Sequence, residues 1–150
     1  MVRREAWRSD DGRRNIRHAS SMPVRLERTE PVVDASTQLR DIGQGGVGLV
    51  SKQPLQPGET CRLMFGLLEY PEPVVGKVVW CKPAETAGSY AAGVQFVEEH
   101  PYSHARLVVD VCHVEFYRRD QRQRLGRELD HATAVQEWRN RSTATAAARV

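Results

Sequence analysis

The segment IGQGGVGLVSKQPLQPGE, residues 42–59, decides between two folds that the chain could adopt. Its glycines match the GxGxxG pattern of dinucleotide-binding proteins, with Gly43, Gly45 and Gly48 at the three fixed positions. In that pattern a helix begins on the glycines, because the helix N-terminus holds the pyrophosphate. Two prolines follow within ten residues of the last glycine and would break such a helix. Glu69 stands about where such proteins have the acidic residue that binds the ribose. We nevertheless interpret the glycines as a turn and bulge between two β-strands, where positive φ angles are needed.

Outward from this segment, short runs of β-branched and apolar residues alternate with turns rich in proline and glycine. Six runs are predicted to be strands: residues 23–28, 37–42, 47–51, 60–67, 74–80 and 90–97. No helix of useful length fits between them, so consecutive strands should pair antiparallel and close into a barrel. The predicted fold is therefore mainly β, a six-stranded antiparallel β-barrel over residues 23–98.

The two flanks of this barrel have different compositions. Residues 1–22 are polar, arginine-rich and free of any apolar period, which predicts a flexible basic arm. Residues 99–140 are predicted to form one or more helices, although the first half is β-branched enough to pass for a strand. The second half carries apolar residues at helical spacing, namely Leu125, Leu129, Ala132, Val135 and Trp138. Residues 141–150 are expected to be a disordered tail.

The composition narrows the class of protein. A chain of 150 residues is long enough for one domain, and no apolar run reaches the length of a membrane span or a secretory signal, so we expect a cytoplasmic protein. Three isolated cysteines predict reduced thiols, and the histidine pair at 100 and 104 lacks a third ligand. We therefore expect no metal site and no cofactor. No nucleophile and base stand in a catalytic arrangement, which predicts a binding protein rather than an enzyme.

Four motifs, taken in order, resemble those of the PilZ domain family over about residues 12–98. An RxxxR motif lies before the barrel, a (D/N)xSxxG motif lies at a strand turn, and two strand motifs follow. The matching residues are Arg13 and Arg17, Asp41 and Gly46, KVVW at 77–80, and GVQF at 93–96. Gly43 stands where the family has serine, and the missing hydroxyl removes a ligand hydrogen bond worth about 1 kcal/mol.

The resemblance implies a PilZ-like barrel that binds cyclic di-GMP as a regulatory ligand. Arginine can bind a phosphate or the O6 and N7 edge of guanine, and a carboxylate can accept from the N1 and N2 donors. Glycine lets a base approach the backbone closely. The implied ligand-binding residues are Arg13, Arg14, Arg17, Asp41, Gly43, Gly45 and Gly46. Trp80 is interpreted either as a core residue or as a ligand contact, the core being the commoner place for a strand tryptophan.

Ligand binding is expected to close the arm over the barrel and to change the surface seen by a downstream protein partner or a synthase domain. One alternative is a PilZ-like protein-interaction adaptor that does not bind the nucleotide. A nucleic-acid binder is disfavoured, because the barrel has no aromatic ladder and the net charge is only +3. The C-terminal helix either packs on the barrel with a solvated outer face, or pairs with a copy of itself as a homo-oligomer contact or with a partner protein.

Overall fold

The computed structural model describes residues 16–28, 34–68, 73–97 and 101–148. Within them the chain forms seven strands, a short 3-10 turn at Gly66–Leu68 and two helices. The strands are β1 (His18–Ala19), β2 (Pro23–Arg28), β3 (Asp34–Ile42), β4 (Gly46–Ser51), β5 (Thr60–Met64), β6 (Val74–Pro83) and β7 (Tyr90–Phe96). The helices are α1 (Pro101–Leu125) and α2 (His131–Ala148). This architecture confirms the mainly β fold class.

All strand pairs are antiparallel, and the sheet order is β1-β3-β2-β5-β6-β7-β4. A further pairing between β3 and β4 joins the two ends of the six longer strands, so β2 to β7 form a closed barrel. Closure leaves no unpaired barrel edge, which is how small antiparallel sheets avoid exposed backbone groups. The predicted six-stranded barrel is confirmed, and β1 is a seventh strand outside it.

Residues 16–22 were assigned to the flexible arm, but the structure packs them against the barrel. His18 and Ala19 pair with Ile42 and Asp41 of β3, and Met22 is fully buried. Strands β1 and β2 therefore follow each other along β3, which a two-residue strand could not reveal by its own periodicity. The remainder of the predicted arm lies outside the described residues.

The core fills the barrel and continues beneath α1. The largest fully buried side chains are those of Phe65, Met22, Leu26, Leu39, Ile42, Leu49, Leu63, Leu107, Val47, Val74, Val78 and Val111. On α1 the buried positions recur three or four residues apart, at His104, Leu107, Val111, Val114, Tyr117 and Gln121. This spacing makes one buried stripe along α1, apolar except for His104 and Gln121.

The predicted stripe in the second half of the helical segment is wrong. Gly126, with φ of +67°, ends α1 directly after Leu125, which is 62% exposed. Asp130 then caps α2 by accepting a 2.7 Å hydrogen bond from the Thr133 N–H. A left-handed glycine and an Asp cap are standard signals of a helix end and a helix start. Ala132 is exposed, whereas Ala134 and Val135 are buried, and α2 continues through most of the segment predicted as a tail.

Candidate functional site

Asp41 reaches the outer surface of the barrel through a β-bulge. Leu39 and Ile42 are both buried, and the register between β3 and β4 shifts between Leu39 and Asp41. The extra residue interrupts the strict alternation of inward and outward side chains. Arg40 and Asp41 consequently both lie outside the core, with Arg40 exposed and the Asp41 side chain 32% exposed.

Asp41 is the acceptor for Arg17, 24 residues earlier in the chain. The Arg17 Nη2 atom lies 2.5 Å from Asp41 Oδ1, and the Gly48 N–H donates to the same oxygen at 3.1 Å. Arg17 Nε is buried and has no hydrogen-bond partner among the described residues. The pair therefore joins the segment before β1 to the bulge of β3, and it holds an unused guanidinium donor.

The glycine turn between β3 and β4 lies directly beneath Arg17. The Gly43 N–H donates to the Gly46 carbonyl at 2.9 Å, and the Gly45 carbonyl accepts from the Phe96 N–H at 2.9 Å. A Cβ atom on Gly43 would lie 2.8 Å from Arg17 Cδ and 2.9 Å from the Ile16 carbonyl oxygen. A Cβ on Gly46 would collide with the Val94 carbonyl oxygen.

From the sequence we expected the glycines of this turn to adopt positive φ angles, and that expectation is wrong. Positive φ is found at Gly58, Gly88 and Gly126 within the described part of the chain, not in the turn at 43–48. The turn glycines instead permit close approach, because neighbouring backbone and side chains occupy the space a Cβ would need.

Of the predicted site residues, Arg17, Asp41 and Gly43 come together, and Gly45 and Gly46 complete the turn below them. Arg13 and Arg14 lie outside the described residues. Trp80 is 36% exposed on the surface of β6 rather than in the core. A second register shift, between Val78 and Trp80, accounts for this position.

A second polar cluster links the segment after β1 to both helices. The Ser20 hydroxyl donates to Glu115 Oε2 at 2.6 Å, and His131 Nε2 lies 2.7 Å from the same oxygen. Arg118 Nη1 donates to Glu115 Oε1 at 3.0 Å. Burial opposes ionisation of Glu115, but the hydrogen bonds from His131 and Ser20 lower its pKa from 4.5 to about 2. This cluster was not predicted from the sequence, because its members are up to 111 positions apart, from Ser20 to His131, and form no local motif.

A basic cleft of about 450 Å³ lies beside this cluster, between the barrel and α1. Its cationic lining residues are Arg40, Arg118, Arg119 and Arg122. Arg118 is committed to Glu115 and to the Leu129 carbonyl. The other three arginines make no ion pair with any residue in the described ranges, so the cleft presents positive charge to solvent.

Two further features of the described residues bear on function. No group of three or more histidine, cysteine or acidic side chains there is arranged to hold a metal ion. No helix in the same part of the chain is long and apolar enough to span a membrane.

Comparison with known proteins gives a family match and several similar structures. A family model described as "PilZ domain" matches residues 3–112. The PilZ domain of YcgR from Escherichia coli, solved with c-di-GMP, is 13% identical with a TM-score of 0.59, over 76% of this chain and 99% of that one. MotI/DgrA, the inhibitor of motility from Bacillus subtilis, is 18% identical with a TM-score of 0.54, over 71% of this chain and 53% of that one.

The MrkH–c-di-GMP complex of K. pneumonia is 20% identical with a TM-score of 0.53, over 71% of this chain and 55% of that one. The chain thus spans about half the length of MotI/DgrA and MrkH, but nearly all of the isolated YcgR domain. Comparison with curated proteins finds no match. At these identities the structural likeness establishes the barrel fold.

Proposed function

Because this chain belongs to the PilZ domain family, we propose that it is a regulatory module that binds cyclic di-GMP. The conformational change caused by binding is proposed to be transmitted to a partner protein. The observation that carries the proposal is the Arg17–Asp41 pair above the turn at Gly43. Two motifs separated by 24 residues meet at one place on the barrel, with a cation and an acceptor in contact. Similar PilZ structures that contain c-di-GMP support the choice of ligand.

The chemistry of the pair suits a guanine dinucleotide that carries two phosphates. Asp41 can accept hydrogen bonds from the N1 and N2 donors of guanine, and both of its described bonds use Oδ1. Arg17 has a buried Nε without a partner in the described ranges, so a ligand acceptor would satisfy a donor that is costly to leave unpaired. Arg13 and Arg14 are proposed to add phosphate contacts from the preceding segment.

Arg17 and Asp41 form an ion pair, so a ligand that binds either side chain is proposed to compete with that pair. Binding is proposed to move the Arg17 guanidinium from Asp41 to the ligand and to release Asp41 for the base. Residues 16–20 would move with it, because they flank Arg17 and include β1. This motion is the proposed conformational signal.

The signal is proposed to reach the helices through Ser20, which is three residues after Arg17 and donates to Glu115 on α1. His131 on α2 contacts the same carboxylate. Helix α1 exposes Val109, Phe116 and Leu125, and apolar residues on an exposed helix are a common place for a protein partner or a second copy to bind. We propose no catalytic turnover and a cytoplasmic location.

A calorimetric titration of the full chain with cyclic di-GMP tests the proposal. Heat that saturates at tens of micromolar protein or below is expected, and it should be lost in Arg17→Ala and in Asp41→Asn. Cyclic di-AMP is the matched control, because adenine lacks the N1 and N2 donors that Asp41 would accept.

The second candidate is an adaptor of the same fold that does not bind the nucleotide. The observation in its favour is Gly43, which removes the serine hydroxyl of the family motif and lets Ile16 and Arg17 cover the turn. The absence of heat with cyclic di-GMP, from a chain that melts cooperatively, would favour the adaptor.

A further inference from the structure

The two walls of the basic cleft carry three arginines that form no ion pair with any described residue. Arg40 comes from β3, and Arg119 and Arg122 come from α1 on the facing wall. Residues three apart on a helix share a face, so the two helical arginines lie side by side. All three residues are exposed. The cleft therefore presents three guanidinium groups to an anion from outside the chain.

Glu115 is the only acidic residue among the described residues that line the cleft, and its charge is already compensated. Arg118 donates to its Oε1 atom at 3.0 Å, while Ser20 donates to Oε2 at 2.6 Å. His131 Nε2 lies 2.7 Å from the same Oε2 atom. The Glu115 side chain is also only 14% exposed. An incoming anion thus meets the free arginines rather than an uncompensated carboxylate.

The lining of the cleft argues against a nucleotide, a lipid surface and a single small ion. None of the described lining residues is aromatic, so a base would have no ring on which to stack. A membrane surface is flat, whereas the cleft is a recess of about 450 Å³. Tight sites for one small ion are built from preorganised groups. The buried donor without a partner in the described part of the chain, Arg17 Nε, does not line the cleft.

Arginines on both walls suit an extended acidic segment that lies between them. Successive side chains of an extended chain point to opposite sides, so its carboxylates can reach Arg40 on one wall and the α1 arginines on the other. A guanidinium binds a carboxylate through two parallel hydrogen bonds. Ser21 and Gln38 are exposed polar residues of the lining and can bond to the backbone of such a segment. Arginine clusters commonly recognise acidic motifs of partner proteins.

We propose that the basic cleft binds an acidic segment of a partner protein, with carboxylates on Arg40, Arg119 and Arg122. This inference goes beyond the proposed function and does not depend on it, because an adaptor that binds no nucleotide would have the same cleft. The surface differs from the exposed apolar residues Val109 and Phe116, which line a separate groove between α1 and α2.

The test uses a short fluorescein-labelled peptide in which glutamate alternates with alanine. The matched control peptide has glutamine in place of every glutamate. Fluorescence anisotropy with the full chain at low salt should show saturable binding of the glutamate peptide and none of the glutamine peptide. Added salt should weaken the binding, because exposed charges are screened.

Substitutions of the cleft arginines assign the binding to this surface. Arg40→Gln, Arg119→Gln and Arg122→Gln should each weaken peptide binding about three- to fivefold, since each removes one exposed ion pair. Their melting temperatures should equal that of the wild type. Arg124→Gln is the matched control, because it removes the same charge from the same helix, but Arg124 pairs with Asp120 and does not line the cleft. It should bind the peptide like the wild type.

Three results would overturn the inference. The first is equal binding of the two peptides, and the second is an equal loss in Arg124→Gln and Arg119→Gln, which would indicate only general attraction to a basic protein. The third is displacement of the peptide by inorganic phosphate or by oligothymidylate at a lower concentration of charge than the peptide itself needs. In that case the cleft is a site for the competing anion.

A cyclic di-GMP titration of Arg119→Gln separates this inference from the proposed function. The nucleotide affinity of this variant should equal that of the wild type. A loss of nucleotide affinity with unchanged peptide binding would make the cleft part of the nucleotide site, and the inference would be wrong. If the wild type binds the peptide through the three arginines but does not bind cyclic di-GMP, the proposed function is wrong and this inference stands.

Discussion

Gly43 and Arg17 are in direct contact across 26 positions of sequence: a Cβ on Gly43 would lie 2.8 Å from Arg17 Cδ. The absence of a side chain at position 43 therefore lets Arg17 lie on the turn and pair with Asp41. Gly43, the residue that departs from the family motif, is therefore also the residue that permits the ion pair between Arg17 and Asp41. Gly43 has no positive φ, so the backbone itself accepts other residues.

Comparing Gly43→Ser with Gly43→Ala tests the effect of the missing hydroxyl. Both variants add a Cβ that displaces Arg17 and the Ile16 carbonyl, so both should lower the free energy of unfolding by about 1 kcal/mol. Only serine adds a ligand hydrogen bond, so it should bind cyclic di-GMP about five- to tenfold more tightly than alanine by calorimetry. Equal affinities of the two variants would show that position 43 does not contact the ligand.

Arg17→Ala should separate binding from stability. We expect the loss of most affinity for cyclic di-GMP and a decrease of at most about 1 kcal/mol in the free energy of unfolding, because the ion pair is only partly buried. Urea unfolding and calorimetry on the same preparation measure both quantities. A large loss of stability with unchanged affinity would make Arg17 a structural residue.

The matched control for that experiment is Arg28→Ala. Arg28 forms a two-pronged ion pair with Glu59 at 2.7 and 2.8 Å, joining β2 to the residue before β5. This pair is more buried than that of Arg17 and lies outside the proposed site. The change should cost about 1–3 kcal/mol in stability and leave the affinity unchanged.

The sequence predicted the barrel because each of the six strands carries its own alternation and its own turn signals. It predicted the meeting of Arg17 with Asp41 only through the family motifs, since no periodicity relates residues on different strands. The two bulges could not be predicted, because an extra residue in one strand is identified only from the register of that strand with its paired strand. For the same reason Trp80 had two interpretations, and its register with Gly93 decides in favour of the surface.

The division of the C-terminal segment into two helices was not predicted from the sequence, for a different reason. Gly126 and Asp130 are recognisable end and cap signals, but the apolar spacing from Leu125 to Trp138 continues across them and predicted a single stripe. The first half of α1 looked like a strand because valine is frequent there, although its buried positions fall at helical spacing. Burial against the barrel determines the helix in that case, rather than intrinsic propensity.

The free energy of unfolding should decrease at acidic pH because Glu115 becomes protonated. Its pKa is about 2 in the folded protein and near 4.5 when unfolded, so the unfolded chain binds more protons between these values. A contribution of roughly 3 kcal/mol is therefore present above about pH 4.5 and is lost as the pH falls toward 2. Urea unfolding across this range should show a decline that is shallower in Glu115→Gln. Glu128→Gln, on the exposed turn between the helices, should leave the profile unchanged.

Ser20→Ala should uncouple the ligand site from the helices. The substitution removes the 2.6 Å hydrogen bond to Glu115 and the 3.1 Å hydrogen bond that the hydroxyl accepts from the Met22 N–H, at a cost of about 1–3 kcal/mol, but it leaves Arg17 and Asp41 intact. Cyclic di-GMP should therefore bind with nearly wild-type affinity. In the wild type, hydrogen exchange around Glu115 in α1 should change when the ligand is added, because movement of residues 16–20 disturbs the bond from Ser20.

In Ser20→Ala that exchange response should shrink to near zero, whereas the control Ser89→Ala, at another buried serine before β7, should retain it. If Ser20→Ala responds as the wild type does, the signal does not pass through Glu115. The basic cleft between the barrel and α1 would then be the route to examine, since Arg40 follows Leu39 into the bulge and lines that cleft together with Ser20. Arg40→Ala, measured by the same exchange experiment, distinguishes that route, because it removes a cleft cation without touching the Ser20–Glu115 bond.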